Sequence, residues 1–102
     1  MSREFFLGFA KVHVLHHARR GAIYGVWFLE ELRRHDYHLS PGTLYPLLHG
    51  LEASGYLTRE DRVVDGKVRK YYRITPEGER ALAVARQKIQ ELVEETLESA
   101  PA

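Results

Sequence analysis

Leu44, Leu47, Leu48 and Leu51 recur at i, i+3, i+4 and i+7, the spacing that places apolar side chains on one buried stripe of an α-helix. Ser40 and Pro41 precede the stripe. Ser40 can cap the orphan N–H groups of the first turn, and proline is accepted at the first helical position because its missing N–H is not needed there. The stripe leaves Gly42, Tyr45, Pro46, His49 and Ala53 on the opposite side, a face that is small and sparsely charged. Gly55 suits the left-handed residue that ends such a helix. Beyond it, two short strand patterns, one over about residues 56–64 and an alternating one over 68–74, stand on either side of Asp65-Gly66. That pair fits a two-residue type I′ turn, so the segment predicts a β-hairpin.

Two helices are expected ahead of the leucine stripe, at about residues 3–19 and 24–35. The first carries Phe5, Phe9, Val12 and His16 on one face and Leu7, Ala10, Val14 and Ala18 on the other. A helix apolar on two faces needs two neighbours: the body of the domain and, for the Phe5 and Phe9 face, a second subunit. The second helix ends in a short turn at residues 36–39, and two helices joined in that way, the second with a capping serine, fit a helix-turn-helix. After the hairpin, Thr75 and Pro76 open a last helix reaching about Ser99. Over roughly 23 residues it would span about 35 Å and must project from so small a domain. Leu82, Ala85, Ile89, Leu92, Val93 and Leu97 form its stripe; two heptads are marginal alone, so the stripe is expected to pair with a symmetry mate and the first helix.

The predicted fold is therefore mainly α with a small β-hairpin: a winged helix-turn-helix in the order helix, helix, helix, strand, strand, helix. Residues 1–75 are read as the DNA-binding part and residues 76–102 as the dimerisation helix, packed into one unit. At 102 residues with 44% hydrophobic content the chain can bury only a modest core, and a partner subunit would add to it. The absence of cysteine removes disulfides, thiolate nucleophiles and the usual zinc frameworks. The apolar run at residues 5–10 is too short for a membrane span, and the chain reads as soluble and cytoplasmic. No phosphate-cradling glycine loop, acid–base pair or nucleophile motif is present, so an enzyme is not expected and no cofactor is called for.

Net charge is only +1, but it is unevenly placed. Residues 1–76 hold twelve Lys and Arg against eight Asp and Glu, whereas residues 77–102 hold three against six. The cations gather in the hairpin, and the acids on the last helix. A slim helix face beside a cationic hairpin suits duplex DNA, the helix reaching base edges and the hairpin phosphates.

The string Ile23-Tyr24-Gly25, residues 39–48 from Leu39-Ser40-Pro41 to Pro46-Leu47-Leu48, Leu51-Glu52, Gly55-Tyr56-Leu57, residues 69–75 and Gly78 resembles the PadR family of bacterial transcriptional regulators in its short single-domain form, over about residues 5–98. The resemblance implies a winged-helix homodimer that joins through its C-terminal helix and represses a promoter at a pseudo-palindromic operator. It also implies release by a small molecule, often aromatic or cationic, in many relatives. Carried over by position, Ser40, Thr43, Tyr45, Pro46 and His49 face the groove, Tyr24 meets a phosphate, and Lys67, Arg69 and Lys70 supply the wing contacts. Pro46 removes a helical hydrogen bond at a cost of about 3 kcal/mol, and the local distortion is expected to shape the recognition surface. Trp27 has two readings, an effector pocket or a plug against the first helix. His13 and His17 stand i, i+4 apart, but a third metal ligand would have to come from His16, which faces away, or from another segment or subunit. The reading adopted is no metal, with histidines and arginines gathered at a helix C-terminus that favours cations. The rival to a DNA-binding repressor is a winged-helix protein-interaction module without DNA binding.

Overall fold

The computed structural model describes residues 2–98, with the side chains of residues 2–97. The expected helix end near Ser99 lies outside them. The elements run α1 (Arg3–Ala18), β1 (Ile23–Tyr24), α2 (Gly25–Arg34), α3 (Pro41–Ala53), β2 (Leu57–Val64), β3 (Lys67–Ile74) and α4 (Pro76–Val93), which continues as a wider π-helical stretch over Glu94–Glu98. The sheet has three antiparallel strands in the order β1-β3-β2. The short β1 was not anticipated: Ile23 pairs with Tyr72 and Tyr24 with Tyr71, so α2 begins one residue later than expected, at Gly25. A two-residue strand carries no alternation of its own, and only its distant partner creates it.

The leucine stripe of α3 is the centre of the core. Leu44 and Leu48 are completely buried, and Leu47 and Leu51 nearly so, each worth about 1.5–3 kcal/mol of hydrophobic transfer. They meet Ala10, Val14 and Ala18 from the inner face of α1, Phe28 and Leu32 from α2, and Leu57 and Tyr72 from the sheet. Leu82 joins this core at 2% exposure. The assignment of Leu82 to a dimer interface is thereby corrected, because the first turns of α4 still lie over the domain and the stripe is covered there by the chain itself. The stripe emerges only later, with Ile89, Leu92, Val93 and Leu97 exposed on a helix that carries the molecule's long axis to 62 Å.

Turn chemistry explains where the elements stop. Asp65 and Gly66 both have positive φ, 52° and 76°, as a type I′ turn requires. Gly55 ends α3 at φ 82°. Thr75 caps α4 by accepting the Gly78 N–H at 3.0 Å. Ser40 does not cap α3 in that way: its Oγ instead donates to Thr43 Oγ1 at 3.3 Å, and the helix start has no side-chain cap. The two neighbouring hydroxyls satisfy one another in place of the backbone.

Two buried polar groups stand out. The Tyr72 hydroxyl has no hydrogen-bond partner among the described residues, and an unpaired buried hydroxyl costs about 1–3 kcal/mol. Tyr72→Phe is therefore expected to leave the fold intact and raise its stability by about 1 kcal/mol, measured as a higher denaturant midpoint at unchanged slope; a fall in midpoint would contradict this account. The second is Glu31, 8% exposed in α2. Burial pushes its carboxyl upward, but Arg34, His35 and His17 outweigh that and hold it below the ordinary value, as a buried carboxylate requires. No helix among the described residues is long and apolar enough to cross a membrane.

Candidate nucleic-acid interface

α2 and α3 are separated by the six residues 35–40, drawn tight by Asp36 N–H to Arg33 O at 2.9 Å and Tyr37 N–H to Leu32 O at 2.8 Å. With its leucines committed to the core, α3 presents Gly42, Pro46, His49, Gly50 and Ala53 to solvent and Thr43 half-buried. Pro46 lies within the helix without ending it. The exposed surface is thus small, nearly uncharged and open to close approach.

Tyr45 departs from the expected groove-facing position. It is half-buried and lies across the start of α2, where a Cβ on Gly25 would come within 2.9 Å of its ring and hydroxyl. Burial, then the nearby Tyr24, raises its phenol above the ordinary value. The Lys70 ammonium sits 5.3 Å from the centre of the Tyr45 ring. Tyr45 therefore joins α3 to α2 and to the wing strand at one point. Gly25 leaves room for this contact, because any larger residue at the start of α2 would meet the Tyr45 ring.

The other face of β3 carries a second cluster. Tyr24 and Tyr71, paired in register, have ring centres 5.6 Å apart. The Arg69 guanidinium lies 5.0 Å from the Tyr24 ring and that of Arg62 4.3 Å from Tyr71. These contacts brace the base of the wing and restrain long cationic side chains that would otherwise be free. Arg62 also pairs with Glu60 at 2.9 Å and Arg59 with Asp61 at 3.3 Å. The hydrogen bond from Arg62 holds the Glu60 carboxyl below its ordinary value. Lys67, Arg69, Lys70 and Arg73 have no ion pair among the described residues. The wing's free positive charge is thus confined to β3, and three of these four residues are the ones expected from sequence.

Far from the wing, α1 and α4 enclose an apolar groove of about 490 Å³ lined by Phe5, Phe9, Val12, Ala85, Ile89 and Leu92, among others. Phe5 is 68% and Phe9 46% exposed. Of the expected dimer residues the groove thus gathers Phe5, Phe9, Ala85, Ile89 and Leu92, while Val93 and Leu97 are exposed farther along the helix and do not line it. Trp27 packs edge-on against His17 and Phe28, with ring centres 5.2 and 5.8 Å away, and Arg20 lies 5.9 Å from its ring. That is the arrangement of a plug between α1 and α2.

Comparison with known proteins accounts for this layout. The model of the transcriptional regulator PadR-like family matches residues 14–84. The chain is 50% identical over 95 residues to the transcriptional regulator Rv3488 of Mycobacterium tuberculosis, covering 93% of this chain and 89% of that protein. It superposes on the crystal structure of a PadR family transcriptional regulator from Eggerthella lenta with a TM-score of 0.80 at 34% identity, over 95% of this chain and 88% of the other. A Streptococcus transcriptional regulator gives 0.78 at 27% identity, over 93% and 94%. A winged-helix body whose small α3 face adjoins unpaired wing cations, matched over most of its length by these regulators, identifies the chain as a transcriptional regulator of the PadR-like family and not an enzyme.

Proposed function

We propose that the chain represses transcription by binding a pseudo-palindromic operator as a homodimer, residues 1–75 reading DNA and residues 76–102 pairing the chains together with α1. The observation that carries this reading is the Lys70–Tyr45–Gly25 junction, which fixes the uncharged face of α3 beside the unpaired cations of β3. Thr43, Pro46 and His49 then reach base edges, with Ser40 and Tyr24 at the flanking phosphates, while Lys67, Arg69 and Lys70 neutralise the backbone. A protein-interaction module would be served by large apolar side chains on α3, and its exposed positions are instead Gly42, Pro46, His49, Gly50 and Ala53.

Pairing through α1 and α4 is supported by Phe5, Phe9 and Leu92, which line one apolar groove between the two helices and stay exposed in the single chain, as residues of an interaction surface do. Selection of bound sequences from a random duplex pool tests the whole reading. Two inverted half-sites should emerge, about 10 bp apart centre to centre or a multiple of that, from protein sedimenting as a dimer. Enrichment of no sequence over the starting pool, or a monomer in sedimentation, would overturn it.

A further inference from the structure

The three histidines that sequence alone leaves scattered converge in the folded chain. His13 and His17 lie one turn apart on α1, with rings stacked 6.4 Å centre to centre. His35 arrives from the C-terminal end of α2, its ring 5.1 Å from that of His13. One nitrogen from each of the three lies within 4.8 Å of the other two. The third ligand that the helical pair lacked is thus supplied by another segment, 18 residues along the chain from His17. His16 is not part of the group.

A carboxylate stands in the same place. Glu31 Oε1 is 3.3 Å from His35 Nε2 and 3.7 Å from His17 Nε2, and its other oxygen is fixed by Arg34 Nη1 at 2.9 Å. The side chains of Glu31 and His17 are only 10% and 8% exposed, and His17 Nδ1 is buried with no partner among the described residues. Tyr37 closes one side, edge-on to His13 at 5.2 Å and backed by Phe6 at 5.0 Å. The cluster has the composition of a ligand set, with a buried anion to offset charge and an aromatic wall to limit water.

We propose that His13, His17 and His35 bind one divalent transition-metal ion per chain, a water completing the set and Glu31 holding His35 in place from beside it, and that Zn²⁺ is the ion this set fits. Three imidazole nitrogens suit Zn²⁺, Co²⁺, Ni²⁺ and Cu²⁺, whereas Mg²⁺ and Ca²⁺ take oxygen ligands. Tetrahedral zinc with bonds of about 2.0–2.1 Å brings its nitrogens to about 3.4 Å from one another. The present spacing, within 4.8 Å, would have to close to reach this, and His35, 47% exposed, has the room to move. Burial favours the neutral, ligating form of His13 and His17. An ion here would tie α1, the helix with the exposed Phe5 and Phe9 face, to α2, the first helix of the helix-turn-helix.

The test uses tag-free full-length protein, so that no added histidines compete. Co²⁺ titration should give the visible bands of a four-coordinate site at one ion per chain, and Zn²⁺ should displace it while excess Mg²⁺ does not. His35→Ala and His13→Ala, each checked for native circular dichroism, should weaken Co²⁺ and Zn²⁺ binding by more than about 100-fold, and Glu31→Gln by about 10-fold or more. His38→Ala, outside the cluster, should change nothing. Unaltered binding in both His13→Ala and His35→Ala, or wild-type protein that develops no Co²⁺ bands, would overturn the proposal and leave the cluster as aromatic packing alone.

Discussion

Gly78→Ala is expected to lower stability by about 3 kcal/mol and the thermal midpoint by roughly 10–20 °C. The cause is contact, not backbone freedom, since Gly78 is not among the positive-φ glycines. A Cβ at this position would drive into the carbonyl oxygen of Tyr56, 2.7 Å from Ile74 Cγ1 and 3.0 Å from the Tyr56 carbonyl carbon. Backbone cannot step aside as a side chain does. The carbonyl in question is itself bonded to Thr75 N–H at 3.0 Å, and Thr75 donates its hydroxyl to Gly55 O while accepting from Gly78 N–H. Displacing one member of this knot releases the first turn of α4 from the base of the wing and loosens Leu82 in the core. Gly25→Ala is the internal control: its Cβ meets only the far end of Tyr45, which can rotate, so stability should fall much less. Thermal melts of the two variants that coincide would show that backbone proximity at Gly78 is not the decisive contact.

The contrast between these glycines illustrates what a linear reading could and could not reach. Local signals carried well: the spacing from Leu44 to Leu51, the Asp65-Gly66 turn and the Thr75-Pro76 helix start each depend on residues within a few positions, and each appears as expected. What failed depended on distant or competing partners. β1 exists only because Tyr71 and Tyr72 lie beside it. Ser40 has the chemistry of a cap, yet Thr43 takes its hydroxyl. Leu82 obeys the same period as Ile89 and Leu97, and nothing in that period says where the domain ends and the projecting helix begins. Tyr45 shares an outward helical angle with His49, but the wing and α2 close over it. His35 joins His13 and His17 only through packing of α1 on α2.

The wing offers the second large effect. Replacing Lys67, Arg69 and Lys70 together by alanine removes three cations per chain, six from the proposed homodimer. If each neutralises a phosphate, the slope of log affinity against log salt should flatten by about 5, and the variant should bind roughly a thousandfold weaker relative to wild type at 50 mM salt than at 200 mM. The charges are placed for this. Arg69 and Lys70 are restrained over Tyr24 and Tyr45, so little side-chain freedom is lost on contact, and none of the three is already neutralised by a carboxylate. Arg59 gives the comparison, because it is paired with Asp61; Arg59→Ala should barely move the slope. Since phosphate contacts carry no base identity, the triple variant should keep the wild-type order of preference among operator sequences while losing affinity for all of them. A salt dependence parallel to that of wild type would place the backbone contacts elsewhere on the molecule, and an altered order of preference would mean that the wing itself reads bases.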